Sequence, residues 1–159
     1  MNRVYLGYAI VFLVAIFLQV LIVPYLEILH WKPDLILIVL VMFSMNVSQN
    51  AATTAGFLSG LASDLVSAHM VGLGALSKSI TGYLSASLVK YFREQSQFII
   101  TLIIAGLVHD LVYFFIDTLG KDFSWRLILF VYIIPNLFYT VLVGAFVYYV
   151  LGNWLRFRP

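Results

Sequence analysis

Apolar runs long enough, or nearly long enough, to cross a lipid bilayer dominate this sequence. A helix needs about 20 apolar residues to cross a hydrocarbon core of about 30 Å. Residues 4–23 form such a run, with Gln19 as its one strongly polar side chain. Of the 159 residues, 63% are hydrophobic and only 10% are charged, whereas a soluble domain is about half apolar and about a quarter charged. The composition excludes soluble folds and predicts an all-α polytopic membrane protein.

The same composition excludes several other classes of protein. Intrinsic disorder requires low hydrophobicity and high charge. A nucleic-acid-binding surface requires clustered basic residues, and the nine Lys and Arg residues are spread over the whole chain. The chain has no cysteine, so disulfide frameworks and thiolate zinc sites are excluded.

The pattern of apolar runs predicts one integral membrane domain, residues 1–159, with about six short transmembrane helices. Two of the runs are shorter than the rest, so they form either two thin spans or one re-entrant hairpin. Either arrangement returns the chain to the side it left. The predicted spans are residues 4–23, 35–47, 51–66, 70–88, 98–119 and 127–154.

The distribution of Lys and Arg predicts the orientation in the membrane, because these residues favour the cytoplasmic side. With the N-terminus inside, five basic residues face the cytoplasm and three face outward. This bias favours both termini in the cytoplasm. The inner residues are Arg3, Lys90, Arg93, Arg156 and Arg158, and the outer ones are Lys32, Lys121 and Arg126.

Small residues recur every four positions in the central segments, which places them on one face of each helix. Such faces let helix backbones approach closely within a bilayer. They indicate helix packing inside the chain, with a seam for a partner protein as the alternative. The stripes are Ala52, Gly56, Gly60 and Asp64, then Gly74, Lys78, Gly82 and Ala86, then Gly106 and Asp110.

Five ionisable residues fall within the predicted spans: Asp64, Lys78, His109, Asp110 and Asp117. Charges inside a membrane are costly, so they mark either a functional pathway or buried ion pairs that fix helix order. One lysine and a few carboxylates favour ion pairs. On the predicted spans, Lys78 and Asp110 lie at similar depths of about 12 and about 14 Å. We therefore predict an ion pair between them, with His109 or Asp64 nearby.

Catalytic and metal-binding patterns are weak. Ser77 and Ser79 flank Lys78, and adjacent residues point to different faces of a helix, so no serine–lysine pair is expected. The histidines at positions 30, 69 and 109 lack metal-ligand spacing. The sequence predicts no enzyme activity, no metal and no cofactor. Pro33 and Asp34 are explained as a helix start, with proline near the first turn and an acid at the positive end of the helix dipole.

Several motifs in the central third resemble a known family. They are Pro33-Asp34-Leu35, Gly56-Phe57-Leu58-Ser59-Gly60-Leu61 with Asp64, Gly72-Leu73-Gly74-Ala75-Leu76 and Gly82-Tyr83-Leu84. In order, spacing and chain length they resemble the bacterial rod shape-determining family MreD. The segment from Val66 to Met70 departs from the family, in which a loop richer in glycine and proline is usual.

The resemblance implies a non-enzymatic subunit of the cell-elongation machinery in the bacterial inner membrane. Its implied partners are MreC directly and, through MreC, the MreB filament, a penicillin-binding transpeptidase and its polymerase partner in peptidoglycan synthesis. It also implies a fold resembling the substrate-binding subunits of energy-coupling-factor vitamin transporters.

A scaffold of this kind is expected to hold the membrane helix and juxtamembrane segment of MreC. We predict the contact residues to lie on the glycine-containing stripe and the outer turn. The predicted partner and helix-packing residues are Pro33, Asp34, Gly56, Gly60, Asp64, Gly72, Gly74 and Gly82.

A vitamin-binding transporter subunit is the alternative function. Such subunits dock their transmembrane partner through small residues on the first helix. Here Ala9 is followed four residues later by Leu13, and Ala15 by Gln19, so that pattern is missing. Only Trp31, His69 and Trp125 could supply polar or aromatic groups on the outer loops.

Overall fold

The computed structural model describes residues 2–27, 31–67, 70–93, 96–120 and 124–155. Within these residues, six helices have ten residues or more, which confirms the predicted all-α fold. A short helix, Trp125–Leu127, leads through the π-helical stretch Ile128–Ile133 into the last long helix. The helices are α1 (Asn2–Leu21), α2 (Leu35–Ser44), α3 (Gln49–Ser67), α4 (Leu73–Leu88), α5 (Gln97–Asp117), α6 (Trp125–Leu127) and α7 (Ile134–Leu155).

Several residues used in the sequence analysis lie outside the described part of the chain. They are His30, His69, Lys121, Arg156 and Arg158. Residues 68–69, in the segment where the sequence departs from the family motif, also lie outside the described part of the chain.

Successive long helices run in opposite directions. Gln19 near the end of α1 bonds to the start of α2, and Tyr8 near the start of α1 bonds to Met42 near the end of α2. We call the end that contains the beginnings of α2, α4 and α7 the polar end. The ends of α1, α3 and α5 meet them there.

Helix α2 lies in the centre of the bundle. All of its residues from Ile36 to Ser44 are buried, and it contacts α1, α3, α4, α5 and α7. At the end away from the polar end, the ring of Phe43 packs edge-on against the rings of Tyr8 and Phe12. Because protein surrounds this segment, its ten residues, about 15 Å long, form a core helix.

Among the described residues, two helical segments are long and apolar enough to cross a membrane, Gln97–Asp117 and Ile128–Val150. Tyr5–Leu21 and Leu35–Ser44 are shorter apolar helices. The outward faces carry large exposed apolar side chains, such as Leu13 at 68% exposure and Phe146 at 69%. Exposed apolar surface of this extent indicates contact with lipid or with another protein.

Glycines bring the backbones of α3 and α4 into direct contact, in what we call the glycine seam. A Cβ atom added to Gly56 would overlap the carbonyl oxygen of Lys78, and one added to Gly60 would overlap that of Gly74. A Cβ on Gly82 would overlap the carbonyl oxygen of Ala52. The small-residue stripes of α3 and α4 therefore pack against each other within the chain. The seam is covered by α4 within the chain. That MreC binds along Gly56, Gly60 and Asp64 stays a prediction.

Candidate functional site

A polar cavity of about 220 Å³ opens at the polar end. It brings together charged residues from four helices that are far apart in the sequence. The charged and histidine side chains around it are Lys32, Asp34, Asp64, Lys78, His109 and Asp110. Tyr113 and Phe114 add an aromatic wall, and Gln19, Asn136 and Thr140 add uncharged polar groups.

Four of these side chains form one continuous chain of contacts. The Lys78 Nζ atom lies 2.7 Å from Asp34 Oδ2 and 3.3 Å from His109 Nε2. On the other side of the ring, His109 Nδ1 lies 2.9 Å from Asp110 Oδ1. We call the series Asp34–Lys78–His109–Asp110 the buried charge chain, since Lys78 and His109 are each only 5% exposed.

The predicted ion pair between Lys78 and Asp110 is wrong, because the partner of Lys78 is Asp34. From the sequence, Asp34 was explained as a helix start and was not considered as a partner of Lys78. Asp34 caps the start of α2, and Lys78, about 8 Å from the start of α4, reaches its carboxylate there. The expectation that His109 lies close to Lys78 is confirmed.

His109 lies between Lys78 and Asp110. In the neutral ring, Nε2 accepts from the Lys78 ammonium, which has no acceptor of its own, and Nδ1 donates its proton to Asp110. In the protonated ring, both nitrogens carry protons and His109 forms an ion pair with Asp110 at 2.9 Å. In both forms Nδ1 donates to Asp110, and Lys78 pairs with Asp34.

Asp34 is held in place because it is also the N-cap of α2. Its Oδ1 atom accepts a 2.9 Å hydrogen bond from the Leu37 N–H, as an acidic N-cap residue does. Pro33 is buried and directly precedes the N-cap residue Asp34. It therefore lies just outside α2, which begins at Leu35. Burial alone would raise the pKa of the Asp34 carboxyl, but the adjacent Lys78 ammonium and these hydrogen bonds hold that pKa below its usual value.

The segment from Trp31 to Leu35 is anchored by polar groups from α1 and α7. Gln19 donates to the Pro33 carbonyl at 3.2 Å and accepts from the Leu35 N–H at 2.7 Å. On α7, Asn136 accepts from the Lys32 N–H and Thr140 accepts from the Asp34 N–H, both at 3.1 Å. Sequence reasoning missed Asn136 and Thr140. Gln19 was noted only as a polar residue within the first apolar run. A polar side chain in such a run needs a hydrogen-bond partner, and this was the available sign that Gln19 contacts another segment.

Trp31 bonds to the π-helical stretch that precedes α7. Its indole N–H donates to the Val131 carbonyl oxygen at 2.8 Å. The contact ties the segment from Trp31 to Leu35 to the residues Ile128–Ile133.

Asp64 at the end of α3 binds the beginning of α4. Its Oδ2 atom accepts from the N–H groups of Gly72 at 2.9 Å and Ala75 at 3.1 Å. Free N–H groups and the helix dipole make such a terminus a favourable place for a carboxylate. Gly74 leaves room for it, because a Cβ there would overlap Asp64 Oδ1. Asp64 is only 6% exposed.

The serines near Lys78 are occupied with their own helix. Ser77 donates to the Gly74 carbonyl at 3.2 Å, and Ser79 donates to the Ala75 carbonyl at 2.6 Å. Neither bonds to Lys78 in the described structure. The described residues also contain no group of three or more side chains suited to a metal ion. The arrangement supplies charge and hydrogen bonds, with no activated nucleophile.

A second feature is an apolar groove of about 430 Å³ between α1 and α3, which we call the α1–α3 groove. Small residues line it on both helices: Ala9, Ala55, Ser59 and Ala62. Phe12, Leu13 and Leu58 are among its larger side chains. The groove lies on the side of α3 away from the glycine seam.

A family model described as rod shape-determining protein MreD matches residues 2–158. The chain belongs to the MreD family. Membership gives this MreD-family protein a role in rod shape determination and places it among membrane proteins. No solved structure matches the chain, so the likeness to vitamin-transporter subunits stays a prediction. The absence of enzyme activity also stays a prediction, although the family is one of shape determination.

Proposed function

We propose that this protein is a non-enzymatic inner-membrane scaffold of the cell-elongation complex, and that it binds the membrane helix of MreC in the α1–α3 groove. Family membership supports the general role. The groove is the observation that carries the specific one, because the seam predicted for this contact is occupied by α4.

The shape of the groove favours a helix. In lipid, helix association depends on close packing at small residues. Ala9, Ala55, Ser59 and Ala62 supply such positions on the two flanking helices. The lining residues of α1 extend from Tyr5 to Ile16, about 16 Å of helix. A lipid chain would gain little from small lining residues, whereas a helix backbone needs them.

The charge distribution supports both termini in the cytoplasm. In that orientation the polar end faces outward. The groove then holds MreC beside a charged outer surface, from which the extracytoplasmic part of MreC can reach the transpeptidase and its polymerase partner. MreB would be connected indirectly, from the cytoplasmic side.

Filling the groove tests the proposal. We expect Ala55→Leu and Ala62→Leu to lower the amount of co-purified MreC about tenfold, because added side chains occupy the space of the partner helix. Ala145→Leu is the matched control, since Ala145 is half-buried on α7 and does not line the groove. Each variant is checked for folding by size-exclusion chromatography and circular dichroism.

Two results would count against the proposal. Unchanged recovery of MreC with folded Ala55→Leu and Ala62→Leu proteins would place the interface elsewhere. Loss of a tightly bound phospholipid with no loss of MreC would make the groove a lipid site.

The size and the internal contacts of the cavity at the polar end make vitamin binding a weaker proposal than the scaffold role. Ligand pockets for small molecules commonly measure about 300–1,000 Å³, and this cavity measures about 220 Å³. Its walls are also already joined by internal ion pairs and hydrogen bonds. Submicromolar binding of thiamine, riboflavin or biotin in equilibrium dialysis would reverse this preference.

A further inference from the structure

The charges around the polar cavity do not balance. Asp34 is paired with Lys78 at 2.7 Å, and Lys32 is paired with Glu27 at 2.9 Å. Asp64 is held by the N–H groups at the start of α4. Among the described residues, Asp110 has no Lys or Arg partner, and its contact is the His109 imidazole at 2.9 Å. Even with that ring protonated, the carboxylates of Asp34, Asp64 and Asp110 outnumber the two cations that face them, Lys78 and His109.

The surroundings of Asp110 suit an organic cation. Tyr113 and Phe114 line the same cavity, and aromatic faces attract ammonium and guanidinium groups. Asn136 and Thr140 add oxygen acceptors. A metal ion requires several converging ligands, and the described residues offer no such group.

We infer that the polar cavity receives the cationic end of a basic side chain, an arginine guanidinium or lysine ammonium, from a polypeptide on the outer side of the membrane, and that Asp110 is its counter-charge. The inference holds whichever protein carries the side chain. It does not depend on the α1–α3 groove.

A side chain is favoured over a zwitterion such as a phospholipid headgroup or a free amino acid. Their phosphate or carboxylate would enter beside three carboxylates, Asp34, Asp64 and Asp110. Neither lysine of the cavity is free to receive it, since Lys78 and Lys32 already have acidic partners. A basic side chain brings a positive charge without an attached anion.

The test uses methylguanidinium chloride as the probe on the full-length protein in detergent micelles. Binding is followed by the nitrogen-15 NMR signals of His109, assigned by their loss in His109→Gln. We expect saturable shifts at millimolar probe, since His109 contacts Asp110. Methylurea, which has a similar shape and no charge, should give none, and sodium chloride at equal ionic strength should give none.

Asp110→Asn should weaken the binding of methylguanidinium about tenfold, because the amide keeps an oxygen for the His109 N–H and removes the charge. Asp117→Asn is the comparison on the same helix, outside the cavity lining. It should weaken binding of the probe much less than Asp110→Asn does, because its charge acts on the cavity wall at Tyr113 without lining the site. The signals of His109 themselves report whether the Asp110→Asn cavity remains intact.

Three outcomes would overturn the inference. Equal shifts with methylurea or with sodium chloride would show that no organic cation site exists. Unchanged binding of methylguanidinium by the Asp110→Asn variant would show that Asp110 is not the counter-charge of the bound cation. Loss of probe binding in phosphatidylethanolamine bilayers, with binding retained in phosphatidylcholine bilayers, would assign the cavity to a lipid headgroup. None of these measurements involves MreC, so they are independent of the scaffold proposal.

Discussion

The glycine seam and the polar end hold the same helices together in different ways. In the seam, the backbones of α3 and α4 touch because Gly56, Gly60 and Gly82 have no side chain. At the polar end, long side chains such as Lys78 and Gln19 reach across several ångströms to a helix terminus. Backbone contact tolerates almost no added volume, whereas the polar contacts depend on matched charge and hydrogen bonding.

The largest expected effect comes from breaking the glycine seam. Gly56→Ala places a Cβ against the Lys78 carbonyl oxygen, a backbone atom that cannot move without separating the helices. We expect the free energy of unfolding to fall by about 3 kcal/mol or more, the upper part of the range for overpacking. Thermal unfolding in detergent, followed by circular dichroism, measures it.

Gly106→Ala is the matched control for that change. A Cβ at Gly106 would lie 2.7 Å from Leu137 Cδ1, and a leucine methyl group can move aside. We expect a loss of about 1 kcal/mol. Equal losses for Gly56→Ala and Gly106→Ala would show that the seam has no special intolerance to volume.

The seam could be predicted from sequence, whereas the polar contacts could not. Spacing by four fixes the face of a helix on which Gly56 and Gly60 lie, and small residues identify a face that packs closely. Spacing does not fix the partner of a long side chain. Lys78 and Asp110 still lie at similar depths, about 8 Å and about 11 Å from the polar ends of α4 and α5, yet Lys78 pairs with Asp34.

Helix α2 shows another limit of the sequence. Its apolar composition predicts a segment away from water, and lipid and protein interior satisfy that requirement equally well. Burial of every residue from Ile36 to Ser44 follows from the other five long helices packing around it. Composition alone does not contain that arrangement.

The second effect tests the corrected ion pair. Lys78→Met leaves Asp34 buried without its cation, and Asp34→Asn leaves Lys78 without its anion while keeping a good N-cap residue. Each single change should cost about 2–3 kcal/mol, less than for a fully buried pair because the Asp34 side chain is 20% exposed. The double variant should recover most of the loss, because no charge is then stranded. Unfolding in detergent of the two single variants and the double variant measures the coupling.

The pair Lys78→Met and Asp110→Asn is the control for this cycle. These two side chains touch only through His109, so their coupling should be well below that of Lys78 and Asp34. Additive losses for Asp34 and Lys78, with strong coupling between Lys78 and Asp110, would restore the pairing predicted from sequence.

The smallest effect comes from the point at which the two regions meet. Gly74 belongs to the small-residue stripe of α4, and the space it leaves holds the Asp64 carboxylate. Gly74→Ala should displace that carboxylate from the N–H groups of Gly72 and Ala75, at a cost of about 1–3 kcal/mol for hydrogen bonds to a charged group.

In an Asp64→Ala background the same substitution has no carboxylate to displace, and alanine is the better helix former. Its effect on the unfolding temperature in detergent should therefore shrink to near zero or become slightly stabilising. If Gly74→Ala costs the same in both backgrounds, this glycine serves backbone packing as Gly56 does, and the seam extends to the polar end without a change of mechanism.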